Sequence, residues 1–213
     1  MRMLLLALAL TAAAAPAFPQ ELQSRSQALA ALQSPDAAAR AEGIVWIANR
    51  GAQSDAALLH GRLRDDSPFV RAYAEQGLWL LWSRSGDAEI DRLMAQGAEQ
   101  MQAGRYGEAI ATFSSVITRK PDFAEGWNKR ATVYYLAGDY PHSIADCDEV
   151  LTRNPSHFGA LSGLGQIHAK LAQYEQALAW FRRALEVNPN LAGVEENIRG
   201  IERLLKERRG GSI

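Results

Sequence analysis

Residues 125–141 read EGWNKRATVYYLAGDYP, and this stretch decides the fold. Trp127, Ala131, Tyr134 and Tyr135 recur at helical spacing over 125–137, which predicts one amphipathic helix. Gly138-Asp139 breaks it, and Pro141 suits the first turn of a second helix. Ile144, Cys147, Val150 and Leu151 form that helix's apolar stripe. Asn154-Pro155 ends it, because the residue before a proline avoids the helical region. The same marks recur 34 residues away on both sides, at Pro121, Pro155 and Pro189 and at Tyr106, Tyr140 and Tyr174. Ala109, Ser143 and Ala177 keep step, as do Phe113, Cys147 and Phe181, and Gly97, Ala131 and Gly165. The small residues fall where the two helices of a pair must approach most closely. One such pair cannot bury its own apolar face, whereas three stacked pairs can.

Trp127…Ala131…Tyr134…Gly138-Asp139-Tyr140…Pro155 resembles the tetratricopeptide repeat, as do the units at 90–123 and 158–191 that flank 124–157. Ser143 and Cys147 depart from that pattern, which favours Ala and an aromatic there, and Leu161 stands where Trp127 stands one unit earlier. The resemblance implies an all-α chain: a right-handed α-solenoid of stacked antiparallel helix pairs. Beyond Pro189, Val194, Ile198, Ile201 and Leu205 share one face of a last helix over 191–208, the expected C-terminal capping helix, and 209–213 reads as a tail. Residues 87–208 are therefore expected to hold the three repeats and the cap.

The segment 18–86 is read as helical and HEAT-like. Ser34-Pro35-Asp36 and Asp66-Ser67-Pro68 each precede an apolar-periodic helix, and Arg40 with Arg71, Gly43 with Ala74 and Ile47 with Leu78 align at an offset of 31. Two generic helical hairpins remain the alternative. Residues 78–82, LWLLW, are apolar all round, which predicts burial on more than one side and docking onto the first tetratricopeptide unit near Asp87. At the start of the chain, Arg2, the apolar and Ala/Thr run 3–15 and Ala15-Pro16-Ala17 predict a signal peptide over 1–17, hence export to the periplasm or the medium, with no membrane span left after cleavage.

Composition narrows the function classes. The 23 basic and 24 acidic side chains nearly balance, so no electrostatic footprint for nucleic acid is expected. A single cysteine, Cys147, forms no intrachain disulfide and anchors no zinc spacing; its aromatic-core position predicts a buried, inert thiol. His60, His142, His157 and His168 form no H-E-x-x-H pair. His142 and His157 are expected in solvated turns, and His168 at a packing position. Residues 163–168, GLGQIH, lack the third glycine of a dinucleotide fingerprint and lie inside a helix. No catalytic residue, metal site or cofactor is expected, and the chain is not read as an enzyme.

In the tetratricopeptide family the first helix of each pair lines a concave groove. Carried over by repeat position, this implies a partner-binding surface of Met94, Met101, Asn128, Lys129, Thr132, Tyr135, Ser162, Gln166 and Lys170. Gly159, Ser162 and Gly163 suggest a shallow floor, and Lys129 a mate for a carboxylate. Met94, Ala98, Gly159 and Gly163 stand where the family's charged clamp for acidic C-terminal tails needs polar or basic side chains, so that clamp is not expected. The leading expectation is a non-enzymatic exported scaffold that binds a peptide or protein in the groove. The alternatives are a structural subunit of an envelope complex that uses convex or end surfaces, testable at an exposed face near Arg40 and Arg71, and an enzyme with an unrecognised site.

Overall fold

Local signals set the helix boundaries. A computed structural model describes residues 22–210, and among these every regular element is helical. The expected signal peptide lies outside the described residues. Helix α1 (Arg25–Leu32) opens on a capping box in which Ser24 and Gln27 satisfy each other's backbone amides. The α2 helix (Ala37–Arg50) is capped by Asp36 and α5 (Ala88–Gln102) by Asp87. Between them lie α3 (Ala56–Arg62) and α4 (Pro68–Ser83), the latter with proline in its first turn.

The 34-residue period becomes three antiparallel pairs: α5 with α6 (Tyr106–Arg119), α7 (Ala124–Leu136) with α8 (Tyr140–Arg153), and α9 (Phe158–Lys170) with α10 (Tyr174–Val187). Each of the three in-register tyrosines is the first residue of its second helix. The turn inside each pair needs a left-handed residue. Gly104 and Gly138 take it at φ 71° and 78°, and Ala172 takes it at 57°. An L-residue pays for that conformation where glycine does not.

Close approach explains the small residues. A Cβ on Gly97 would come within 2.6 Å of the Phe113 ring, and one on Gly165 would fall on Phe181. In the middle pair Ser143 Oγ donates to Ala131 O at 2.8 Å, so the hydroxyl that departs from the family pattern is satisfied by the backbone it touches. Cys147 is buried in the adjoining cluster with Val150 and Leu164. Helix α11 (Ala192–Gly210) lays Val194 and Ile201 on Leu178 and Phe181, covering the last pair.

The two N-terminal pairs repeat one another at the predicted offset. Arg40 Nη1 donates to the carbonyls of Ser34 and Pro35, and Arg71 Nη1 to those of Asp65 and Asp66, the same six- and five-residue reach. Arg40 also makes a bidentate ion pair with buried Asp65, at 2.9 and 2.7 Å. Arg71 instead reaches Asn190 Oδ1 in the turn after α10. Neither arginine therefore offers the exposed face expected at sequence level: Arg40 is buried, and Arg71 is spent at an internal interface.

The docking of this segment differs from the expectation. It does not stack on the first tetratricopeptide pair. Helix α4 runs as a strut along the turns that join the pairs. Arg71 and Glu75 hold Asn190 and Asn188, Trp79 and Trp82 pack on His157 and Phe158, and Trp82 and Arg84 approach the turn 120–125. The predicted all-round apolarity of 78–82 is correct, but its second burial partner lies 75 residues downstream of Trp82, at His157. Leu81 and Trp82 are buried in one apolar cluster with Phe158, and that burial favours the docking.

Candidate functional site

Helices α7 and α9, the first helices of the middle and last pairs, lie side by side. Between them lies a cavity of about 190 Å³. Asn128, Thr132 and Tyr135 line it from α7, and Gly159, Ser162, Gly163 and Gln166 from α9. Ala131, Cys147 and Ile167 form its apolar bottom. Burial pushes the Cys147 thiol up to about 12, with Asp146 and Asp148 adding to the effect, so the floor is neutral.

Local hydrogen bonds orient the polar rim. Thr132 Oγ1 donates to Asn128 O at 2.9 Å, and Ser162 Oγ to Gly159 O at 3.0 Å. Asn128 Nδ2 donates to Glu125 Oε2 at 3.1 Å. The two hydroxyls thus donate within their own helices and keep acceptor capacity, while Asn128 retains a second amide N–H, and Gln166 and Tyr135 bring further donors to the same rim. Thr132 and Gln166 are exposed, and Tyr135 and Ser162 half-buried.

Below the groove, at the α7 N-terminus, Glu125 is 2% exposed and acts as an internal anchor. It accepts from Asn128, from Lys129 Nζ at 3.1 Å, and faces His157 Nε2 at 3.2 Å. His157 is wholly buried, not a solvated turn residue as expected. Its Nδ1 accepts from Ala160 N–H, capping α9, which puts the ring proton on Nε2 toward Glu125. The ring stacks on Trp82 at 4.5 Å. Burial pushes the Glu125 carboxyl up, but His157 and Lys129 outweigh it and hold the carboxyl below its usual range.

Of the residues expected in the groove, the cavity brings together Asn128, Thr132, Tyr135, Ser162 and Gln166. Met94 is not available to a partner, because it is buried in a core with Ile90, Leu93, Phe113 and Phe123. Met101 is half-buried against the same core. Lys129 is bound to Glu125 and is no open mate for a carboxylate, and Lys170 is exposed beyond the cavity. Sequence reasoning missed Trp79, whose ring edge occupies the space where a Gly159 side chain would stand and so packs α4 against the first turn of α9. Gly159 was its signal: a helical glycine with no partner inside its own pair. Among the described residues no group of three or more His, Cys, Asp or Glu is placed to hold a metal ion, and no helix is long and apolar enough to cross a membrane.

A second, larger hollow of about 760 Å³ lies on the outer face of α2 and α4. Leu22, Val45, Trp46, Phe69 and Tyr73 line it, with Phe69 50% and Val45 43% exposed.

Residues 94–156 and 159–191 each match a family model described as tetratricopeptide repeat. A TPR repeat-containing protein of Rhizobium etli is 31% identical over 170 residues, covering 78% of this chain and 83% of that protein. Hsp70-Hsp90 organizing protein 1 of Glycine max is 26% identical over 121 residues, 56% of this chain but 21% of that protein. Among solved structures, the first TPR domain of Spaghetti (RPAP3), bound to the HSP90 peptide SRMEEVD, is 25% identical at a TM-score of 0.53 and covers 56% of this chain and 96% of that one. The Sgt2 TPR domain from Aspergillus fumigatus, 21% identical with a TM-score of 0.56 over 60% of this chain and 85% of that one, shares the fold.

Proposed function

The chain belongs to the tetratricopeptide repeat family, and on that premise we propose that it is a non-enzymatic scaffold that holds a peptide or protein partner in the groove between α7 and α9. The observation that carries this reading is the cavity itself, rimmed by Thr132, Tyr135, Ser162 and Gln166. The Spaghetti neighbour, with its bound peptide, supports a groove of this kind as a binding surface. The apolar run 3–15 and the Ala15-Pro16-Ala17 site support export, and so a partner in the periplasm or outside the cell. Residues 22–85, with their matched Arg40 and Arg71 bonds, act as a HEAT-like strut that fixes the pitch of the array.

The test is capture by cross-linking in an envelope extract, with the native chain beside a Thr132→Ala/Tyr135→Ala/Gln166→Ala variant. Asn128 and Lys129 are left alone because they hold Glu125. A partner captured by the native chain and lost by the variant supports the groove; equal capture refutes it. The exposed Val45 and Phe69 favour a second reading, a structural subunit that docks through the outer face of α2 and α4. In that case Val45→Ser/Phe69→Ser removes capture and the groove variant does not.

A further inference from the structure

We propose that the hollow over Gly163 is a side-chain pocket that selects an uncharged, extended partner segment carrying one large apolar residue, and that it rejects acidic tails; this rests on the groove reading above. Gly163 is the starting point. Gly97, Gly159 and Gly165 are each required by an aromatic ring, from Phe113, Trp79 and Phe181. A Cβ on Gly163 would meet only Cys147 Sγ at 3.9 Å, an ordinary contact. Mid-helix glycine is less stable than alanine, so packing gives no reason for it here. What its missing side chain leaves is the open space of the groove.

The size of that space fits one side chain. About 190 Å³ falls below the range of roughly 300–1,000 Å³ typical of small-molecule pockets. Its bottom is Ala131, Ile167 and the neutral Cys147 thiol, which suits an aliphatic or aromatic group.

The rim sets the rest of the chemistry. The Thr132 and Ser162 hydroxyls donate within their own helices and present acceptors, while Asn128 and Gln166 bring amide groups that both donate and accept. Backbone N–H groups on either side of an inserted residue match them, as an extended segment supplies them. A carboxylate is an acceptor only and would leave the Thr132 and Ser162 oxygens without a donor. None of the described residues lining the cavity is charged, and the neighbouring Lys129 is neutralised by Glu125. The cavity itself thus holds no cation for an acidic terminus.

The experiment measures fluorescence polarisation of three synthetic probes against the full chain. They are a neutral Ser/Thr/Asn decapeptide pool with central Leu or Phe, the same pool with central Ala, and the peptide SRMEEVD. Gly163→Leu fills the pocket from inside, and Gly163→Ala controls for helix effects; circular dichroism confirms the fold of each. The expected result is binding of the Leu/Phe pool about tenfold or more tighter than the Ala pool, as the burial of one such side chain gives. That preference should be lost in Gly163→Leu and retained in Gly163→Ala. If SRMEEVD binds best and Gly163→Leu weakens it, the selectivity is wrong while the groove reading stands. If the Leu/Phe pool binds equally to Gly163→Leu, or no probe binds, the pocket is wrong; insensitivity to Thr132→Ala/Tyr135→Ala/Gln166→Ala then removes the groove reading as well.

Discussion

Replacing Gly159 with alanine tests the docking of the α4 strut. The new Cβ would fall on Trp79 Cη2 and lie 3.1 Å from His157 Cε1. Neither ring is free to retreat: Trp79 meets Trp82, His157 and Phe158 edge-on, at 5.6, 5.5 and 5.0 Å between ring centres. Overpacking of this kind costs about 1–3 kcal/mol. Alanine's better helix propensity offsets at most about 1 kcal/mol, and less in a first turn. The net expectation is a loss of roughly 1–2 kcal/mol. Gly163→Ala in the same helix has only Cys147 Sγ at 3.9 Å to meet, and should gain about 0.5–1 kcal/mol. Urea unfolding of the two variants should therefore move the midpoint in opposite directions. Trp79→Ala should cost less on the Gly159→Ala background than on the native one, with a coupling of about 1–2 kcal/mol. If Gly159→Ala stabilises as much as Gly163→Ala, Trp79 does not pack where the strut requires it.

Further outcomes follow from individual residues. Ala172→Gly relieves the left-handed φ of 57° and should stabilise the chain by about 1 kcal/mol, read from the same urea curves. Arg40→Ala leaves buried Asp65 with only the Ser67 N–H and a longer contact to Arg62 at 3.4 Å, and should cost about 3 kcal/mol. Burial pushes the Asp65 carboxyl up, but Arg40 outweighs that and holds it at about 2, against 3.8 unfolded. A depressed carboxyl contributes stability that is complete above its unfolded value and is lost as pH falls through the folded one. Asp65→Asn should flatten unfolding stability between about pH 4 and pH 2. Glu125→Gln removes a second carboxyl held below its usual range, and should likewise make stability less sensitive to acid below its unfolded value of 4.5.

Much of the array was legible because its contacts are local and periodic. Tyr106, Tyr140 and Tyr174 mark helix starts, and the Gly97–Phe113 and Gly165–Phe181 pairs mark closest approach, all within one 34-residue unit. The position of α4 was not legible, because Trp82 and His157 meet across 75 residues and no period relates a strut to the turns it crosses. His157 reads as a turn residue locally and becomes buried only when Trp82 covers it. Repeat position placed Met94 and Asn128 on the groove-facing helices, but it does not reveal which seam the next helix covers. Met94 is lost to the core that way, while Asn128 keeps one edge on the cavity. Lys129 looked available because nothing local shows that its partner Glu125 is buried beside His157, 32 residues away.

The most direct test of the central claim is site-specific photo-crosslinking in living cells, with the crosslinker at Gln166 in the groove in one strain and at Phe69 on the outer face in another. The account predicts a discrete crosslinked partner from Gln166, abolished by Gly163→Leu, and none from Phe69. A partner crosslinked from Phe69 and not from Gln166 would contradict it and place the working surface on α2 and α4.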